Sequence, residues 1–480
     1  MPFVRKTFIL FILAAALFLP AGFLQACSKS PAVLSFPGAE GFGAATPGGR
    51  FGKVVFVTHL DDTTDKNSSA YPGSLRWALE HTWEDDPADP YDQRRFIVFN
   101  VGGVIHLVDK LIVRNPFVTI AGQSAPGDGI MLSGEEFAIA THDVIVRGLR
   151  VRVGDEGAPT CCRDAISIST YYGDGDVYNV IVDHSSFGWA VDENMSIWAD
   201  PADDSSIYNI SIQWNIISEG LNDSIHIDEE AVSPAPHSMG LIIGDKGSNM
   251  TIHHNLFAHN WGRNPHISGV DGLEVANNVM YGWGDGAFEF GSYATRVHAL
   301  NNYFKPNNPS RPFEIFAHEP MPADTRAYLS GNVVDDPQLG ASLVDARIYN
   351  PDNFLFSSIP LFKSSKVDVV SAEDAYTAVL NSAGAVAPVR DEVDARVVRD
   401  VLNREGQMID SQNQVGGWQD FQGGQSPQDD DGDGIPNEWE ASHGLDPNNA
   451  DDANHPNELA PSGYAWIEEY VNSLIPLPTQ

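Results

Sequence analysis

From about residue 96 to residue 304 the chain repeats one pattern, in which four to six β-forming residues are followed by a polar turn and then by another such run. "FIVFNVGGVIHL", "FVTIAGQ", "VIVRGLRVRVG", "VIVDHSSFGW", "ISIQWNIIS", "MTIHHNLFA", "LEVANNVMY" and "VHALNNYF" all fit it. Short apolar runs bounded by turn residues read as strands. Four of them carry Asn at a matching place, Asn215, Asn255, Asn278 and Asn302, at intervals of 40, 23 and 24 residues. Intervals in the low twenties suit one coil of a parallel β-solenoid, in which like residues stack from coil to coil, and the longer gap implies a loop inserted in one coil. The stacked Asn are read as turn residues that bond to one another or to backbone. A β-sandwich would not repeat Asn at this spacing.

Past residue 304 the strand pattern weakens into Pro-containing sequence with one helix-like stretch, "RDEVDARVVRDVLNREG", and then "QNQVGGWQDFQGGQSPQ" supplies Gly, Gln, Ser and Pro in linker proportions. The expected organisation is a solenoid with a C-terminal extension over 31–395, a linker over 396–428 and a tail over 429–480. The tail opens on "DDDGDGIPNEWE", in which Asp429, Asp431, Asp433, Asn437 and Glu440 stand at positions 1, 3, 5, 9 and 12 of an EF-hand loop, with Gly434 at the sixth. Alternating carboxylates offer hard oxygen ligands and Glu440 closes the shell, so a tail Ca2+ site is expected. The segment before the loop is not helical, which makes this a lone loop rather than a paired EF-hand.

At the other end, "MPFVRKTFILFILAAALFLPAGFLQAC" has a short basic start, an apolar run and small residues before Cys27. This is export-signal architecture, set aside from the fold as residues 1–26. The stretch "LQAC" resembles the lipobox of bacterial lipoproteins, which implies a lipidated Cys27 and a surface-anchored or secreted protein. Gln25 is an unusual occupant there, so cleavage and release is the second reading. Lys plus Arg number 28 and Asp plus Glu 65, a net charge of −37, which argues against nucleic acid and against an anionic membrane face as partner. Cys161 and Cys162 are adjacent, so they form at most a strained bridge and too small a set for zinc.

Polar residues that could carry chemistry cluster on the central coils: Asp164, Asp183 with His184, Asp192 with Glu193, and Arg263 in "HNWGRNPHIS". Positions far apart in sequence lie one strand spacing apart on successive coils, so three carboxylates and an arginine can line one groove. Such a set suits Ca2+ bridging an anionic ligand to the protein, and proton abstraction beside a uronate carboxylate. Arg263, set between Gly262 and Asn264-Pro265, is expected to be displayed rather than buried, although an arginine is an awkward base. His184 reads as a stacked, hydrogen-bonded residue, with Asp183 orienting its ring or supporting the metal shell.

The stretches "FPGAEGFGAATPGGR", "PGSLRWALE", "VTIAGQSAPGDGI", "VIVDHSSFGWAVDE", "HSMGLIIG" and "HHNLFAHNWGRNPHISG", in this order and followed by the tail loop, resemble the pectate lyases of the right-handed parallel β-helix class, in the branch with a calcium-loop tail. The resemblance implies an all-β, right-handed parallel β-helix, and a calcium-dependent lyase that cleaves (1→4)-α-D-galacturonan by β-elimination. It implies Arg263 as the residue that takes the C5 proton, with Asp164 and Asp192, and Glu193 beside it, as groove Ca2+ ligands. The partner would be an anionic cell-wall polysaccharide and the protein a monomer. Several positions depart from the family: Ser196 and Cys162 stand where acids are common, Met239 where a substrate-binding lysine is common, and Ser268 where a second arginine is. His237 or Lys246 is expected to take over the lysine's role. The competing readings are a glycan-binding β-helix without activity and a lyase or hydrolase for another uronic-acid polysaccharide.

Overall fold

The computed structural model describes residues 33–476 except 85–88, 90, 174, 203, 228–235, 308–314, 318–323, 338–339 and 344–354. Residues 33–480 form one compact unit. The expected export signal over 1–26 and Cys27 lie outside the described residues, and among those residues no helix is long and apolar enough to cross a membrane.

Among the described residues three sheets of eleven, eight and ten strands lie between Lys53 and Phe356, and all but one pair of strands run parallel, each to its counterpart one coil away. This is an all-β parallel β-helix. One antiparallel pair, Val333–Asp336 with Gly340–Leu343, stands out near its end. The register explains why the short apolar runs suffice. In the eleven-stranded sheet Val180, Ile210, Met250, Leu273 and Val297 are successive partners, as are Val182, Ile212, Ile252, Val275 and Ala299. All ten are buried in one continuous core. Each coil thus supplies alternate apolar residues to an interior that no coil could bury by itself.

The turn between the eleven- and ten-stranded sheets is made by a left-handed residue followed by the Asn. His184, Trp214, His254, Asn277 and Asn301 all have positive φ, and they precede Ser185, Asn215, Asn255, Asn278 and Asn302. The Asn255 backbone N–H and side-chain amide both donate to Asn278 Oδ1, at 2.9 and 3.0 Å, while Asn278 does the same to Asn302 Oδ1 at 3.0 Å. Asn332 extends this ladder by a fifth rung. The strand pattern therefore continues past residue 304, with strands as far as Leu355–Phe356.

The outer faces of two sheets are covered. "FPGAEGFGAATPGGR" crosses the eleven-stranded sheet, where a Cβ on Gly43 would sit 2.5 Å from the Val180 carbonyl oxygen, so only glycine permits the approach. The helices Ala372–Ser382 and Glu392–Asn403, capped by Ser371 and Asp391, close over the ten-stranded sheet through Val379, Leu380, Val397 and Val401. Beneath the second helix Arg152 bonds both Asp391 and Asp394 in a fully buried ion cluster.

The expected linker over 396–428 is instead part of the body. Its first residues belong to the helix Glu392–Asn403, and the rest is a strap pinned by Tyr281 to the Glu405 carbonyl, by Gln412 to Asp155 and by the Gln422 N–H to Asp128. Nor is the tail separate. Ile435, Ile467, Tyr470 and Val471 share a core with Phe96 and Val98, and Glu468 pairs with Arg50. Gly, Gln and Ser lack apolar surface, but their short side chains leave the backbone free to bond along the coils.

Candidate active site

The eight-stranded sheet carries the polar cluster. Glu193, Met239 and Gly262 are register partners on three successive coils, and Arg263 follows Gly262. Asp164, Asp192 and Glu193 bring one carboxylate oxygen each within 4.8 Å of one another. The Arg263 guanidinium reaches back across two coils to an ion pair with Glu193. Its backbone is held at φ 57° by an N–H donated to Glu289 Oε1 at 3.1 Å, and Glu289 in turn faces His266 at 3.2 Å. The expectation of a displayed arginine is corrected here, because the side chain is 27 % exposed and its charged end is engaged. A guanidinium between sheet carboxylates is drawn in by charge, whatever turn the flanking Gly and Pro make.

The carboxylates are held individually. Asp164 accepts the Glu193 N–H at 3.1 Å and the Ser196 hydroxyl at 2.5 Å. Burial, then the charge of Asp192 and of Glu136, push its carboxyl well above the usual range. Burial also opposes charge on Asp192, but His237, whose Nε2 lies 2.8 Å from Asp192 Oδ1, leaves it below the usual range. Burial draws the Arg263 guanidinium below the ordinary arginine value, against the pull of Asp192, Glu289 and Asp164. Two buried carboxyls and one half-buried one, with hard oxygen atoms and a surplus of negative charge, fit a Ca2+ ion.

His237 was expected to bind substrate, and the structure sets it on Asp192, stacked against His226 with ring centroids 4.0 Å apart. His226 escaped notice because it lies in the long insertion between two coils, outside any repeated strand. Lys246 is not at the site. It lies beyond the far end of the strand Met239–Gly244, with its ammonium on the Asp200 carbonyl at 3.0 Å. Met239 fills the coil between Glu193 and Arg263. His184 is buried and stacked on Trp214 with Asp183 2.8 Å away, at the end of a strand of the eleven-stranded sheet. Among the described residues neither Cys161 nor Cys162 takes part in a disulfide.

In the tail, both carboxylate oxygens of Asp431 and of Glu440 and one each of Asp433 and Asp452 are buried without a hydrogen-bond partner. Orphaned acidic oxygens converging on one loop fit a divalent cation. Asp433, Glu440 and Asp452 lie within 4.8 Å of one another, as do Asp429, Asp431 and Asp433. Asp452 was not anticipated, since it lies twelve residues past the loop. Asn437 points elsewhere, its amide donating to Asp430 at 2.8 Å.

The chain is 34% identical over 457 residues to a probable pectate lyase C of Aspergillus flavus, covering 93% of this chain and 95% of that one. It is 35% identical over 465 residues to one of Aspergillus fumigatus, with 95% and 96% covered. The chain belongs to the pectate lyase family. It is a polysaccharide lyase. No family model matches it. Among solved structures, a Bacillus subtilis pectate lyase superposes with TM-score 0.49 at 16% identity over 74% of this chain and 98% of its own. Jun a 1, the major allergen from cedar pollen, gives 0.47 at 18% over 73% and 93%.

Proposed function

We infer that this pectate lyase relative is an exported, calcium-dependent enzyme that cleaves (1→4)-α-D-galacturonan by β-elimination. The observation that carries the reading is Arg263 paired with Glu193 across two coils of one sheet, beside Asp164 and Asp192. Arg263 takes the C5 proton of a galacturonate. The C5–H electron pair becomes the C4=C5 double bond, the C4–O4 bond breaks, and O4 leaves with its pair and gains a proton, giving a 4,5-unsaturated end. Burial favours this role by lowering the guanidinium's affinity for its proton, while the Glu193 pairing opposes it. Asp164, Asp192 and Glu193 would hold the groove Ca2+, which when bound neutralises the uronate carboxylate and acidifies the adjacent C5–H. His237 orients Asp192.

The tail would hold a second Ca2+ on Asp429, Asp431, Asp433, Glu440 and Asp452, which joins the loop to the segment that carries Asp452. The N-terminal segment would direct export, with Cys27 lipidated or lost on cleavage, and the enzyme acts as a monomer.

The test is near-ultraviolet absorbance from polygalacturonate with the native enzyme and Arg263→Ala, each with Ca2+ and with chelator. Signal only from the native enzyme with Ca2+ supports the reading. Absence of signal from polygalacturonate, low-ester pectin and other uronans would sink it and favour a glycan-binding role, to which the Met239 position already points.

A further inference from the structure

Among the described residues three aromatic side chains are more than a third exposed, Tyr171 at 69%, Tyr293 at 57% and Phe356 at 41%. Two of the three sit at the ends of strands in the sheet that carries the active site. Tyr171 follows Ile166–Ser169 and Tyr293 follows Phe288–Phe290. In each case an outward Ser hydroxyl accepts the tyrosine's backbone N–H, Ser169 on the same coil for Tyr171 at 3.1 Å and Ser268 on the preceding coil for Tyr293 at 3.0 Å. Between them on the same edge stands Trp198, the register partner of Ser169 on one side and Gly244 on the other. Met195 and Ile197 point into the core, so Trp198 points out, and it is only half-buried. Its indole lies along the next coil: a Cβ on Gly244 would be 2.1 Å from the ring, so glycine there is what lets the ring recline.

We propose that Tyr171, Trp198 and Tyr293 form a rail of stacking platforms that holds pyranose rings of the polysaccharide along the opposite edge of the active-site sheet, where Trp198 ends the strand that Glu193 begins. An amphipathic ring with one face on the protein and one in solvent offers a flat apolar surface to sugar C–H groups at little entropic cost. From the strand of Tyr171 to that of Tyr293 is four coil steps, about 19 Å at roughly 4.8 Å per step, a length suited to a chain rather than to one sugar. Ser268 gives the rail its chemical sense. The place where the family resemblance leads one to expect an arginine is used here to seat an aromatic, so grip on a free carboxylate is exchanged for stacking that does not depend on charge.

This inference rests on the polysaccharide-lyase reading of the groove, and two readouts separate them. Electrophoresis through gels containing polygalacturonate measures binding, and initial rates measure cleavage. Trp198→Ala is expected to weaken binding at least tenfold and to raise KM rather than lower kcat, with Tyr171→Ala and Tyr293→Ala acting in the same direction and Trp198→Phe recovering most of the loss. Gly244→Ala, which keeps the indole but lifts it, weakens binding too. Phe356→Ala, on another sheet, matches the native protein. If the native protein is retarded and the rail variants are retarded equally, or if the native protein is not retarded at all, the proposal is overturned. Retardation lost in the variants of a protein that cleaves nothing would keep the rail and remove the lyase reading.

Discussion

Calcium binding to the tail should expel protons. Burial first, then the charges of the other loop acids, push Asp433 up to about 8 and Glu440 up to about 7. Because both values are raised, the metal-free fold is favoured by protonation, and its stability falls as pH climbs from the ordinary carboxylate range through 8. Calcium reverses this by requiring both groups ionised. At pH 7 Asp433 is about nine-tenths and Glu440 about half protonated, so each tail Ca2+ should release about 1.4 protons, falling to about 0.1 at pH 9. By linkage the apparent affinity at pH 7 should be about 20-fold weaker than at pH 9. Calorimetric titration with Ca2+ in two buffers of different ionisation enthalpy reads the proton number, and Asp433→Asn identifies which binding event belongs to the tail. A release below about 0.3 proton for that event at pH 7 would refute the account of how the acids repel one another.

The Asn ladder offers a second test: Asn278→Ala strands the Asn255 N–H and amide donors and removes a donor from Asn302, and should cost about 3–6 kcal/mol in urea unfolding. Arg152→Met leaves Asp391 and Asp394 buried side by side and should cost about 3–5 kcal/mol, read as a lowered melting temperature and as early proteolysis near the helix Glu392–Asn403. Asp452→Ala should weaken tail Ca2+ binding at least tenfold, about 1.4 kcal/mol, with groove Ca2+ affinity unchanged in the same titration. His237→Ala frees Asp192 and should lower cleavage while leaving the melting temperature within a few degrees, as measured by absorbance and calorimetry.

The coil repeat was legible because it is a local property: apolar residues in alternation, and an Asn after a residue that tolerates a left-handed turn, recur at the spacing of one coil. The same periodicity placed Asp164, Asp192 and Arg263 near one another, and the twelve-residue loop announced most of its acids. What it could not say is how far each side chain reaches and what meets it there. Glu193 turns to Arg263, Asn437 to Asp430, and Lys246 to a carbonyl at the far end of its strand. His226 and Asp452 enter their clusters from segments with no repeat to betray them. A linker composition became a strap because its partners, Asp128 and Asp155, lie hundreds of residues away. Spacing along the chain determines which backbone positions stack, since strand geometry is fixed at a few ångströms per residue. Which charges pair, which aromatics stay exposed and which loops close over a face are decided by long-range packing, because those contacts join residues that share nothing but their place in the folded coil.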